Sequence, residues 1–294
     1  SADQLIFQTE KQLSEFAKKT LVSKAKKFTT EVNVDAPAYG RKAVLYATCF
    51  SNYHNTSIGE SAIKVLKHNG VDVEVVYPQC CGMPQLEQGD IQRVAENAKS
   101  TASDLVKWVE KGYDVIAVVS SCALMIKMEW PLILPDDKNV IELAANSFDI
   151  TEYIVDISRQ NGLVDGLKRL EGGVTLHMAC HARAQNMGRK AAEMLKLLPE
   201  TNLDVIERCS GHGGSIGATK DFHDIALKVG RNVARQSNQK NNAYISSECP
   251  LASAHILEGM SIMAEKENAA EKDSLSGVKA LHPIELMAVA YGLN

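Results

Sequence analysis

Two stretches decide the fold: Ala43-Val44-Leu45-Tyr46-Ala47, which runs through Thr48 into Cys49, and Val174-Thr175-Leu176-His177-Met178, which runs through Ala179 into Cys180. Each is a short apolar run closed by a cysteine, and its length fits a buried strand better than a helix. Outward from the first, β-like runs follow at Val71–Val76 and Val115–Val119, with helical stretches Ile58–His68 and Ile91–Glu110 between them. Outward from the second, the runs are Leu203–Ile206 and Ala243–Ile245, separated by the helical stretches Met187–Leu198 and Phe222–Gln236. Strands alternating with helices imply a parallel α/β sheet. The same order met twice implies internal duplication. The expected fold is α/β, as two tandem Rossmann-like units with parallel sheets.

The cysteines fall in register with that repeat. Cys49 follows the first strand of copy one, Cys80 and Cys81 the second, and Cys122 the third; Cys180, Cys209 and Cys249 take the matching places in copy two. Thirty residues separate Cys49 from Cys80 and 28 separate Cys180 from Cys209; 40 lie between Cys81 and Cys122 and 39 between Cys209 and Cys249. All seven cysteines of the chain are used. In an open parallel sheet the carboxyl ends of the strands share one edge, where ligands bind, so three loops can bring distant cysteines together. Helices beginning after those loops favour thiolate over thiol. Gly82, and Gly211, Gly213, Gly214 and Gly217, would let backbone N–H groups approach bound anionic sulfur.

Soft thiolates suit zinc or an iron–sulfur cluster rather than a hard cation. Copy one offers four cysteines, enough for either. Copy two offers three, and His212 or His181 is the candidate for a fourth ligand. The glycine run from 211 to 217 does not spell a dinucleotide fingerprint, because Ile216 stands at the third glycine position.

At 294 residues, with 45% apolar residues, the chain has material for two ordinary domains. The expected division is a helical arm over 1–40, a first unit over 41–160 and a second over 161–294. A net charge of −4 and a pI near 6.1 give no basic face for nucleic acid. No apolar run spans a membrane and no charged-then-apolar leader opens the sequence, so a cytoplasmic protein with reduced thiols is expected. In the arm, Leu5, Ile6, Phe7, Leu13, Phe16, Leu21 and Phe28 alternate with Lys18, Lys19, Lys24, Lys26 and Lys27 at roughly helical spacing. The arm reads as an amphipathic helix packed on the body. A basic face for a partner protein, or for peripheral attachment at the inner face of an anionic membrane, is the alternative.

At the cysteines the chain resembles the cysteine-rich CCG domain, present twice. The resemblance rests on Tyr46 to Cys49, on Cys80-Cys81-Gly82-Met83-Pro84 with Glu87, Gly89 and Asp90, and on Ser121-Cys122 running into Glu129-Trp130-Pro131. In copy two it rests on Cys180 to Gln185 with Gly188, on Cys209 to Ser215, on Cys249 to Ala252, and on His282-Pro283. Proteins of this kind include the CCG-bearing subunit of heterodisulfide reductase and the iron–sulfur subunits of glycolate oxidase, lactate oxidase and anaerobic glycerol-3-phosphate dehydrogenase. This chain resembles that last group, some of which are rubrerythrin-associated. The resemblance implies iron–sulfur cofactor: a [4Fe-4S] cluster on Cys49, Cys80, Cys81 and Cys122, and a second cluster, or zinc, on Cys180, Cys209 and Cys249.

Two departures from the family pattern matter. Val119 and Ser246 stand where the first cysteine of a C-x-x-C pair would be, and Ser210 stands where the second cysteine of the adjacent pair would be. The five-cysteine set that carries heterodisulfide chemistry is therefore incomplete. Nor does a C-x₂-C-x₂-C run precede Cys49, so ferredoxin-like clusters are expected on a partner if present at all. The expected role is an electron-transfer subunit between a flavin dehydrogenase or ferredoxin and a quinone or rubrerythrin-like acceptor. A cluster-based disulfide reductase and a non-redox zinc scaffold are the alternatives.

Overall fold

The computed structural model describes residues 16–293 apart from 215, 216, 218, 268–274 and 276. Of the expected arm, residues 1–15 lie outside the described residues. Residues 16–40 contain one short helix, α1 (Leu21–Ala25), started by Thr20, whose hydroxyl accepts the Ser23 N–H. Leu21 is fully buried on the body, where Gly59 leaves room for it, while Lys24 pairs with Glu60 at 2.6 Å. The aromatic and β-branched residues Phe28, Thr29 and Thr30 that follow are weak helix formers, and the chain continues there in turns and irregular backbone. Ala36 and Ala38 are already buried ahead of Arg41.

Copy one continues as β1 (Lys42–Tyr46), α2 (Cys49–Tyr53), α3 (Thr56–His68), β2 (Asp72–Val76), α4 (Met83–Glu87), α5 (Ile91–Val109), β3 (Asp114–Ala117) and α6 (Ser120–Leu124). A π-helical turn over Met125–Glu129 leads into α7 (Trp130–Ile133), α8 (Lys138–Ala145), β4 (Ser147–Asp149) and α9 (Ile150–Gln160). Copy two is β5 (Val174–His177), α10 (Cys180–Ala184), α11 (Lys190–Leu195), β6 (Leu203–Ile206), α12 (His223–Lys240), β7 (Tyr244–Ser247), α13 (Pro250–Glu267), β8 (Lys279–Leu281) and α14 (Pro283–Tyr291).

Each copy forms a four-stranded, all-parallel sheet, in the order β2-β1-β3-β4 and β6-β5-β7-β8. The strands expected from sequence are present within a residue or two of their places. The fourth strand of each sheet, β4 and β8, is an addition. Each is three residues long and carries Asp149 or Lys279, so it has no apolar run to reveal it. The expected helix Met187–Leu198 is shorter, because Asn186 and Gly188 have φ values of 56° and 84° and delay its start to Lys190. The central strands β1 and β5 are buried along nearly all their length, since helices cover both faces of a parallel sheet.

The two copies pack as one body, each lending its last helix to the other. α14, at the end of copy two, lies on α3 of copy one, and α9, at the end of copy one, lies on α11 of copy two. The main core accordingly runs from Val44, Leu66 and Ile154 to Leu176, Leu195 and Leu286. Among the described residues, no helix is long and apolar enough to cross a membrane.

Candidate metal centres

The cysteines stand at the carboxyl edge of each sheet, where the parallel topology sends every loop. In copy one, Thr48 caps α2 by accepting the Ser51 N–H, which sets Cys49 in the first helical turn. Cys80 and Cys81 follow β2, and Cys122 lies in α6 just after β3. Their sulfurs converge: Sγ of Cys80 is 4.0 Å from that of Cys49, and Sγ of Cys81 is 3.2 Å from that of Cys122. Cys81 and Cys122 are buried; Cys49 and Cys80 are half-buried.

Three groups hold the Cys80–Cys81 turn. The Tyr46 hydroxyl, at the end of β1, donates to the Gln79 carbonyl at 2.5 Å. The fully buried Trp130 donates its indole N–H to the Cys81 carbonyl at 3.0 Å. Gly82 adopts the left-handed region, φ +89°, and caps α4. Hydrogen bonds from the Cys49 and Cys81 thiols, with the Gly82 N–H, bring the Cys80 thiol down to about 3, so it ionises first. Cys49 and Cys81 are held up, chiefly by the thiols they donate to and then by burial. Four soft donors with one ready thiolate suit a thiolate-ligated metal or cluster.

Copy two repeats the framework with fewer sulfurs. Cys180 opens α10, Cys209 follows β6 and Cys249 directly precedes α13. His177 stands where Tyr46 does and performs the same task, its Nε2–H donating to the Arg208 carbonyl at 2.9 Å. The Gly211 N–H reaches Cys209 Sγ at 3.4 Å, as the Gly82 N–H reaches Cys80. Cys81 is matched by Ser210, which is buried. Cys180 and Cys209 are exposed.

The two candidate histidines differ. His212 turns its Nε2 to within 3.4 Å of Cys249 Sγ, while its Nδ1 donates to the Gly214 carbonyl at 3.2 Å. Burial opposes its protonation, but Cys249 and the Gly214 carbonyl outweigh that and raise its pKa. His181 instead lies under the influence of Glu87 and Glu129 of copy one, with its pKa lowered by burial. The second centre thus borders copy one: a methyl group at Gly214 would sit 2.0 Å from Glu87 Oε1.

One buried group gave no signal in the sequence. Glu248, next to Cys249, is wholly buried and accepts the Ala179 N–H at 3.2 Å, tying the Cys249 loop to the Cys180 loop. Burial, with Asp149 nearby, pushes its carboxyl up to about 8. Its place in copy one is held by Ser121.

The fold and its edges define a duplicated parallel α/β protein with a group of thiol donors at the carboxyl edge of each sheet. The chain belongs to the CCG family: the model of this cysteine-rich domain matches residues 43–127 and again 174–256. A subunit of the fumarate reductase (CoM/CoB) of Methanothermobacter marburgensis is 26% identical over 260 residues, covering 86% of this chain and 47% of its own. A subunit of the anaerobic glycerol-3-phosphate dehydrogenase of Escherichia coli is 26% identical over 259 residues, 86% of this chain and 60% of its own. An uncharacterised iron–sulfur protein of Methanocaldococcus jannaschii is 28% identical over 235 residues, 79% and 44%. The chain spans about half the length of these curated relatives. Among solved structures, a glutamate racemase from Bacillus anthracis aligns with 86% of the chain and 80% of its own at 9% identity and a TM-score of 0.35, too distant to bear on function.

Proposed function

We propose that the chain is an iron–sulfur electron-transfer subunit of an oxidoreductase complex. The observation that carries this reading is the convergence of four thiols, from three loops, at one sheet edge of copy one. Cys49, Cys80, Cys81 and Cys122 would hold a [4Fe-4S] cluster, which supplies one-electron chemistry when bound. The chain's own part is to hold the thiolates, lower the pKa of Cys80 and shield Cys81 and Cys122 from water. Electrons enter from a flavin dehydrogenase subunit or a ferredoxin and leave to a quinone or a rubrerythrin-like protein. The relatives named as subunits of a fumarate reductase and a glycerol-3-phosphate dehydrogenase support a role within a larger assembly. The units 41–160 and 161–294 each carry one centre, and the work is done in the cytoplasm or at the inner membrane face.

For the second centre a zinc reading has its own support. Three cysteines and one histidine form a common zinc set, and His212 is the imidazole beside Cys249. Anaerobic purification with iron, sulfide and zinc counts tests both readings. A brown protein bleached by dithionite is expected. A colourless protein with zinc and no sulfide overturns the electron-transfer role.

A further inference from the structure

Copy two holds another converging set of donors that the cysteine centres leave unused. His223 opens α12, while His255 and Glu258 lie three residues apart on α13, which packs along α12. Nε2 of His223 is 3.0 Å from Oε1 of Glu258, and Nδ1 of His255 is 3.7 Å from Oε2. One donor atom from each of the three lies within 4.8 Å of the others. Atoms about 2.1 Å from a tetrahedral zinc ion are about 3.4 Å apart, so a set already within 4.8 Å needs only small side-chain adjustment to close on an ion.

The hydrogen bonding fits a ligand set. Nδ1 of His223 lies 3.4 Å from the Gly217 carbonyl, to which it can only donate, so in the neutral ring the Nε2 facing Glu258 carries a lone pair. A lone pair 3.0 Å from a carboxylate oxygen requires a proton or a metal ion between them. An outer N–H held by a backbone carbonyl is the usual support of a metal-binding imidazole. The His255 side chain is 8% exposed and its Nε2 is buried without a hydrogen-bond partner. His223 and Glu258, each 14% exposed, leave a path for entry.

We propose that His223, His255 and Glu258 form a site for a borderline divalent transition-metal ion, zinc foremost, with water in the fourth position. Two imidazoles and a carboxylate suit such an ion, and the set contains no sulfur, which separates it from the cysteine centres. The ion fastens the start of α12 to α13. Through Gly217 it braces the loop that carries Cys209 and His212.

The test is an anaerobic Co²⁺ titration of the full chain with its cysteine centres loaded. Thiolate-bound cobalt shows a strong near-ultraviolet charge-transfer band; cobalt on two histidines and a carboxylate shows visible ligand-field bands without it. Expected is one further equivalent of the second kind, displaced by zinc. His223→Ala and Glu258→Gln should weaken it by more than about 100-fold, beyond the cost of losing an outer partner, with iron and sulfide content unchanged. The proposal fails if the wild-type chain takes no such equivalent, as it would if a proton alone joined His223 to Glu258. It fails equally if both variants, folded by circular dichroism, bind cobalt as the wild type does. Because iron and sulfide are counted separately, this failure is distinguishable from loss of the electron-transfer reading.

Discussion

The first centre is all sulfur and half withdrawn from water; the second has one sulfur fewer, two exposed thiols and an imidazole at its edge. The backbones that present them are nearly the same. Tyr46 and His177 each hold the carbonyl before the middle cysteine, and Gly82 and Gly211 each offer an N–H to that cysteine's sulfur. Three donor positions therefore belong to the fold, since they follow the first three strands of any copy. The fourth belongs to side chains alone. Copy one has Cys81 in that place; copy two has Ser210 there and, two residues later, His212, whose ring lies beside Cys249. Duplication preserves the scaffold and leaves the chemistry of the fourth position free to diverge.

Cys81 is the point at which this comparison breaks most cleanly. Cys81→Ser is expected to remove the whole metal complement of the first centre, because a buried hydroxyl is a poor substitute for a thiolate. The second centre's signal should remain. Iron and sulfide counts with electron paramagnetic resonance check this, and simultaneous loss of both signals would mean that the two centres are not independent.

A smaller, more selective effect is expected at His212. An imidazole ligand removes a negative charge and raises the potential of a cluster, as in Rieske centres. His212→Ala should abolish a distinct higher-potential signal, or one zinc equivalent, with the first centre intact. His181→Ala should leave metal content unchanged, since Glu87 and Glu129 of copy one, rather than a thiolate, are the opposite charges acting on that ring. An unchanged His212→Ala protein would remove the histidine from the ligand set.

The sheets and their edge were legible because apolar runs and cysteines kept step twice over. The fourth strands were not, being three residues long and built of Ser147, Phe148 and Asp149 or Lys279, Ala280 and Leu281. Nor was the exchange of α9 and α14 between copies, since helix order says nothing of which sheet a terminal helix covers. At the centres, the sulfur positions could be read from spacing. The choice between His212 and His181 could not, because it depends on the turn after Cys209. Glu248 was hidden for a similar reason: a carboxylate beside a cysteine looks solvated until the Ala179 N–H is seen to bind it.

The matched glycines sharpen the comparison further. A methyl group at Gly211 would lie 2.2 Å from the Ala226 carbonyl oxygen and 2.5 Å from the Gly230 nitrogen, whereas at Gly82 the nearest atoms are 3.6 Å away. Both have left-handed φ. Gly82→Ala should therefore cost about 1–2 kcal/mol, the strain of a side chain in that region. Gly211→Ala should cost more, because backbone must move. Urea unfolding of the two variants measures the difference, and equal losses would show that the α12 contact yields easily.

The finest contrast lies at the helix caps after the fourth strands, Asp149 for α9 and His282 for α14, each closing a capping box with a glutamate three residues on. Both are buried, so burial shifts both towards the neutral form, and the two linkages have opposite signs. Asp149 has its carboxyl raised by burial, against hydrogen bonds from Thr151 and Gln185, so the folded chain holds its proton longer and stability declines as pH rises through that window. Burial lowers His282 from 6.5 to about 3. Between those values the unfolded chain binds the extra proton, so the contribution is complete above 6.5 and is lost as pH falls, by up to about 1.4 kcal/mol per pH unit. His282→Asn keeps an acceptor for the Ile284 N–H that Nδ1 now binds at 3.2 Å, and removes the ionisation. Urea midpoints measured downward from neutral pH should fall less steeply in this variant than in the wild type, by about 1 kcal/mol per unit. Parallel slopes would mean that His282 is already protonated in the folded chain, and that its ring does not serve α14 as a neutral acceptor.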